Sequence, residues 1–143
     1  MRRKHHDLLA WQQGVALVKA VYKLTQDFPR TELYALTSQM RRAAISVPAN
    51  IAEGMGRNTT KELLQFLIIA RGSLSEVDTY LVLARELGYT KQTEDIEITL
   101  DRVFGLIGGL INANRKPAAM CEPCSSIMRR GPACARVYPT PST

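Results

Sequence analysis

The residues best spaced to act together form a polar stripe in the first half of the chain. Intervals of three and four positions place side chains on one face of a helix. The stripe consists of Gln39, Arg42, Ser46, Asn50, Glu53 and Arg57. A later segment carries the shorter counterpart Ser73, Glu76 and Tyr80. Buried amide, hydroxyl and guanidinium groups need hydrogen-bond partners, so we interpret these residues as a structural network, either between helices or between subunits.

The arginines in and around the stripe support a second interpretation, a surface that binds nucleic acid. Phosphate binding requires clustered cations. The candidates are Arg41, Arg42, Arg57 and Arg71. Convergence of these arginines would favour nucleic-acid binding, whereas their engagement by Glu53, Glu76 or other neighbours would favour a structural or scaffolding role. Catalysis is the weakest interpretation, because Glu53 has no nucleophile or second acid at a suitable spacing, and no catalytic residue is predicted.

The sequence predicts neither a metal site nor a cofactor. The only histidines, His5 and His6, lie near the N-terminus, so the Glu-x-x-His pairs of di-metal bundles are absent. Cys121 and Cys124 have zinc-ligand spacing, but Cys134 is the only further thiol, and a structural zinc site requires four ligands. Walker, dinucleotide-binding and Gly-x-Ser-x-Gly motifs are also absent. Because all three cysteines follow residue 115, no disulfide framework holds the core, and we predict a cytoplasmic protein.

Four segments with helical periodicity must position these residues. They are residues 8–24, 33–51, 63–84 and 96–110. Each has apolar side chains at intervals of three and four, and no segment alternates with period two. Thr31 and Thr59 are the predicted N-caps of the second and third helices, and Gly88 ends the third. Pro48 removes a hydrogen bond inside the second helix and should kink it. Long helices with short connections predict an all-α fold, an antiparallel up-down-up-down four-helix bundle with a kinked second helix.

Three glycines weaken the fourth predicted helix. Gly105, Gly108 and Gly109 each lower its helix propensity by about 1 kcal/mol relative to alanine. We therefore expect either that another backbone approaches this helix closely or that its end frays.

Composition and charge divide the 143-residue chain into three parts. Residues 7–115 form the predicted bundle domain, preceded by a basic N-terminal arm at residues 1–6. Residues 116–143 hold five of the seven prolines, and we predict a disordered tail there. This tail carries half of the net charge of +6, so the bundle itself is only weakly basic. No apolar stretch approaches the ~20 residues that span a bilayer, so we expect no membrane partner.

Three motifs make the sequence similar to a known family. The first is Phe28-Pro29 followed by Glu32-x-Tyr34-x-Leu36-x-x-Gln39-x-Arg41-Arg42-Ala43. The second is Ser46-Val47-Pro48-x-Asn50-Ile51-Ala52-Glu53-Gly54-x-Gly56-Arg57. The third is Phe66-Leu67-x-x-Ala70-x-Gly72-Ser73-Leu74-x-Glu76. Over residues 6–115 the chain resembles the four-helix-bundle proteins first noticed as reading frames within intervening sequences of bacterial 23S ribosomal RNA genes.

The resemblance carries expectations about assembly and function. It implies a ring-like homo-oligomer, a pentamer in family members of known structure, and kinship with accessory proteins of diversity-generating retroelements, which bind a reverse transcriptase and nucleic acid. The signature positions that match are Arg42, Asn50, Glu53, Gly54, Arg57, Ser73 and Glu76, and no catalytic role accompanies them. We therefore expect a non-enzymatic, self-assembling bundle that binds RNA or DNA through arginines brought together by oligomerisation. The alternative is a scaffold for another protein, such as a polymerase, without direct contact to nucleic acid.

Overall fold

The described part of the chain, residues 3–115 of a computed structural model, is entirely helical. Its four α-helices are α1 (Leu9–Leu24), α2 (Leu36–Met55), α3 (Thr60–Glu86) and α4 (Glu94–Asn114). Two 3-10 turns, Lys4–Asp7 and Arg30–Glu32, precede α1 and α2. The prediction of an all-α fold is confirmed, because residues 3–115 contain no strand. The predicted tail, residues 116–143, lies outside the described residues.

The core forms where the apolar faces of the four helices meet. Helix α1 packs against α2 and α4, and α3 packs against the same two helices. The largest fully buried side chains are Leu17, Met40, Ile51, Leu67, Leu74, Leu81, Ile107 and Ile111. In α3, seven apolar residues follow one another at intervals of three and four, and all but the half-buried Leu63 are buried: Leu63, Leu67, Ala70, Leu74, Val77, Leu81 and Ala84. Burial at intervals of three and four confirms the periodicity seen in the sequence. Within residues 3–115, no helix is both long enough and apolar enough to cross a membrane.

The start of α2 differs from the prediction. Thr31 belongs to the 3-10 turn Arg30–Glu32, and α2 begins only at Leu36. Leu33 and Tyr34, placed in the helix by periodicity, are 45% and 89% exposed. The assignment of Thr31 as an N-cap is therefore wrong. Its side chain makes no capping hydrogen bond, whereas the carboxylate of Glu32 accepts a hydrogen bond from the Leu36 backbone N–H at 3.3 Å.

The α3–α4 connection is held by a glycine cap and by one tyrosine. Gly88 has a φ of +75°, the left-handed conformation that glycine adopts without strain. The N–H groups of Gly88 and Tyr89 donate to the carbonyls of Arg85 and Ala84, which makes the helix end predicted from the sequence a Schellman cap. The Tyr89 hydroxyl donates to Glu32 at 3.1 Å, and this hydrogen bond raises the pKa of Tyr89. The two loops at this end of the bundle are thereby joined.

Thr59 caps the N-terminus of α3, as the sequence predicts. Its hydroxyl oxygen accepts a hydrogen bond from the backbone N–H of Glu62 at 3.2 Å. We expect Thr59→Ala to lower the free energy of unfolding by about 1 kcal/mol, because one N–H at the helix start loses its partner. Urea denaturation measures this change. The matched control is Thr31→Ala, which should stay within about 0.5 kcal/mol of the wild type; equal effects at the two threonines would contradict the assignment of the cap.

The glycines of the bundle fall into two groups. A Cβ added at Gly54 would lie 2.9 Å from the Cβ of Phe66, so α2 and α3 approach each other closely there. At Gly105, Gly108 and Gly109, by contrast, nothing in the described chain lies within 4 Å of an added Cβ. Helix α4 nevertheless continues to Asn114. Neither close packing by another backbone within residues 3–115 nor fraying accounts for these three residues.

Candidate functional site

The centre of the predicted polar stripe is a hydrogen-bonded contact between α2 and α3. The hydroxyls of Ser46 and Ser73 are 2.9 Å apart. The Asn50 amide nitrogen donates to the carbonyl oxygen of Ser46 at 2.7 Å and to its hydroxyl oxygen at 2.8 Å. Ser73, only 7% exposed, also donates to the Ile69 carbonyl at 3.3 Å. We name Ser46, Asn50 and Ser73 the α2–α3 seam; its hydroxyl and amide N–H donors all find acceptors within one chain.

The C-terminal end of the stripe is an ion pair on the surface. Arg57 donates to the Glu53 carboxylate one helical turn earlier, and its guanidinium carbon lies 4.9 Å from the centre of the Phe66 ring. The two side chains are 41% and 50% exposed, so the pair contributes a few tenths of a kcal/mol at most. Its main consequence is that the Arg57 head group is engaged within its own subunit.

The other stripe positions do not join this network. Gln39, Arg42 and Glu76 are exposed, and within residues 3–115 their side chains have no hydrogen-bond or ion-pair partner. The structure therefore brings together the seam and, separately, Glu53 with Arg57. The continuous stripe predicted from spacing becomes two short contacts and two exposed polar side chains, Gln39 and Arg42, and Glu76 of its α3 counterpart is exposed as well.

The four candidate arginines differ in their surroundings. The Arg41 side chain turns toward α1, where its Nε donates to the Thr25 hydroxyl at 2.8 Å and its guanidinium stacks 4.6 Å from the centre of the Tyr22 ring. Arg57 is engaged as described above. Arg42 and Arg71 are exposed, and neither forms an ion pair with any described residue. Two of the four head groups are therefore available to an outside ligand without breaking an internal contact.

The residues before α1 pack on its first turns. The rings of His5 and His6 lie 5.2 and 5.1 Å from that of Trp11, and the Gln12 side chain donates to the His6 carbonyl at 2.8 Å. Partial burial lowers the pKa of His5, and the neighbouring His6 and Arg3 lower it further. The turn Lys4–Asp7, which contains the last three residues of the basic arm, thus packs against α1. In residues 3–115, no group of three or more histidines, cysteines or acids is placed to hold a metal ion.

Comparison with protein families connects this geometry to a known group. A sequence model described as the 23S rRNA-intervening sequence protein matches residues 6–109. The chain belongs to this family. In this member of the 23S rRNA-intervening sequence proteins, the match covers the whole of the first three helices and α4 as far as Gly109. The matched region therefore contains both the α2–α3 seam and the four candidate arginines. The resemblance drawn from the motifs is confirmed. No curated protein sequence matches the chain.

An apolar groove that was not predicted from the sequence of this family member lies beside the C-terminus of α4. The groove has a volume of about 680 Å³. Its lining includes the apolar side chains of Leu64, Ile68 and Ile69 and the exposed cations Lys61 and Arg115. Ile68 and Ile69 are 46% and 44% exposed. The sequence contained an indication of this groove, because Ile68 and Ile69 do not occupy core positions of α3, as Leu67 and Ala70 do. Only their exposure in the structure shows that both isoleucines are left uncovered.

Proposed function

We propose that this family member is a non-enzymatic bundle that assembles with copies of itself and acts as a protein-interaction scaffold in the cytoplasm. The observation that carries the proposal is the number of large apolar side chains left uncovered on α3 and α4. They include Ile68, Val82 and Ile98, of which Ile98 is 67% exposed. Burial of such side chains drives association between proteins. The family resemblance supports a ring, most simply a pentamer.

Within each subunit we propose the up-down-up-down arrangement. The order of the contacts between neighbouring helices supports it. Gly14, early in α1, meets Pro48 of α2, whereas Thr25, just after α1, meets the earlier α2 residue Arg41. The same reversal holds for α2 and α3, since Ser46 meets Ser73 and the later Gly54 meets the earlier Phe66 (above). Pro48 cannot donate to the Ala44 carbonyl, so we infer a bend of α2 at this residue.

The engagement of Arg41 and Arg57 inside the subunit supports the scaffold over the nucleic-acid surface. Arg41 and Arg57 each commit an N–H donor to a partner in the same chain, and the Glu53 carboxylate offsets the charge that Arg57 would offer to a phosphate. The partner class that fits a scaffold of this family is another protein, such as a polymerase. The solution mass of the full chain tests the assembly. A particle several times the 15.9 kDa of one chain is expected, and a monomer at micromolar concentration would contradict it.

RNA binding is the second candidate function, and the exposure of Arg42 and Arg71 favours it. Residues 1–115 carry fifteen basic and twelve acidic side chains, so a five-fold ring would carry about +15. Such a charge attracts polyanions where it converges on one rim. An assembly that does not bind RNA would leave the scaffold as the function.

If RNA is bound through these arginines, its affinity is expected to fall steeply with salt. The double variant Arg42→Ala/Arg71→Ala should bind structured RNA more weakly and reduce the slope of log affinity against log salt by about 1 for each arginine that touches a phosphate. Titrations between low and physiological salt measure the slope. The matched control is Lys19→Ala, an exposed cation on α1. A flat salt response of the wild type would rule out this candidate.

A further inference from the structure

An exposed isoleucine surrounded by acids stands on the outer side of α4. Ile98 is 67% exposed, the largest exposure among the large apolar side chains of the four helices. It lies two positions from the buried Ile96 and Leu100, on the side of the helix that faces away from the core. Within one turn it is flanked by Glu94, Asp95, Asp101 and Arg102, whose side chains have no ion-pair partner in residues 3–115. This acid-flanked isoleucine is a projecting apolar side chain in a net negative setting.

The groove beside the other end of α4 has the complementary character. Its apolar lining comes from Leu64, Ile68 and Ile69 of α3, and Asn114, the last residue of α4, also lines it. The same lining includes Lys61 and Arg115, which are exposed and have no ion-pair partner among the described residues. Apolar side chains beside unpaired cations suit an occupant that presents an apolar side chain beside acids.

We infer that the acid-flanked Ile98 of one copy of this chain docks in the groove of a second copy. The inference rests on the proposed self-assembly and assigns its interface. Ile98 and Asn114 are separated by about 24 Å along α4, so a subunit cannot fill its own groove. The contact is therefore head-to-tail, and a head-to-tail contact repeated around an axis closes into a ring. Gly105 lies on the same outer side of α4 with open space around it, so it lets the second copy approach the α4 backbone.

Two aspartate substitutions test the two halves of the interface in the full chain. Ile98→Asp removes the projecting side chain, and Ile68→Asp places a charge in the groove. Both positions are exposed, so the circular dichroism spectrum of each variant should stay helical and close to that of the wild type. Each variant should raise the concentration needed for half-maximal assembly by about 100-fold, because central apolar contacts dominate protein interfaces. Ile45→Asp is the matched control; Ile45 on α2 is 44% exposed, and assembly should be unchanged.

Mixing the two variants distinguishes this interface from a symmetric one. Each variant retains one intact half of the interface, either the groove or Ile98. An equimolar mixture should therefore form heterodimers of twice the subunit mass, and no rings, as measured by native mass spectrometry. A mixture that stays monomeric would overturn the head-to-tail contact. Variants that keep the wild-type assembly would overturn the inference while self-assembly stands, and the groove would then belong to residues 116–143 or to another protein. A monomeric wild type would refute both the inference and the proposed assembly.

Discussion

Gly54→Val is expected to lower the free energy of unfolding by about 2–3 kcal/mol. A Cβ at this position would lie 2.9 Å from the Cβ of Phe66 and 3.2 Å from a methyl group of Leu63. The Phe66 Cβ is fixed to the α3 backbone, so the two helices must separate to admit a side chain. Chemical denaturation at pH 7 measures the loss. This contact also gives a physical reason for glycine at a position that matches the family motif.

The matched control is the same substitution at another helical glycine. Gly72 lies within α3, and nothing approaches within 4 Å of the Cβ that would be added there. Gly72→Val should change the free energy of unfolding by no more than about 0.5 kcal/mol, because only the difference in helix propensity remains. Equal losses at Gly54 and Gly72 would show that propensity, and not the approach of α2 to α3, determines the effect.

Asn50→Asp is expected to destabilise the bundle by about 1–3 kcal/mol at pH 7. The amide nitrogen of Asn50 donates to two oxygens of Ser46. The substitution keeps the shape of the side chain but replaces this donor with a carboxylate oxygen, which repels both acceptors. Because the half-buried carboxylate faces oxygen atoms, its pKa should be higher in the folded chain than in the unfolded one. The loss in free energy of unfolding is therefore complete above the raised pKa of the folded chain, and it becomes smaller as the pH falls below that pKa.

Denaturation at pH 7 and at pH 4 measures both the loss and its pH dependence. Gln39→Glu is the control, since it makes the same chemical change on the same helix at an exposed side chain without a partner in residues 3–115. Its free energy of unfolding should stay within about 0.5 kcal/mol of the wild type. A loss at Asn50 that does not depend on pH would indicate a packing defect and would contradict the role assigned to the donor.

The sequence predicted those parts of the fold that depend on near neighbours along the chain. The apolar positions of α3, the cap at Thr59 and the cap at Gly88 each depend on residues within about six positions, and each is present in the structure. The start of α2 was predicted wrongly, because Thr31 satisfies the local preference for a cap. The alternative, a 3-10 turn joined through Glu32 to Tyr89, involves a residue 57 positions later in the chain. No local pattern reports such a contact.

The candidate site shows the same division. Spacing placed Ser46 and Asn50 on one face of α2, but which residue faces them depends on how α3 is aligned with α2, and that alignment brings Ser73 to Ser46. Arg41 and Arg42 are adjacent in sequence and differ in role, since only Arg41 reaches Thr25 of the α1 end.

What the sequence by itself determined is the all-helical class, the family, most helix ends and the residues of the core, because these follow from periodicity, caps and motif residues read along the chain. Only the tertiary structure decided which arginines remain available, how the polar stripe divides, and where apolar surface stays uncovered. Those properties depend on the alignment of helices distant in sequence. In the groove, Ile68 of α3 stays exposed beside Asn114 and Arg115 at the end of α4, a consequence of packing that neither helix encodes alone.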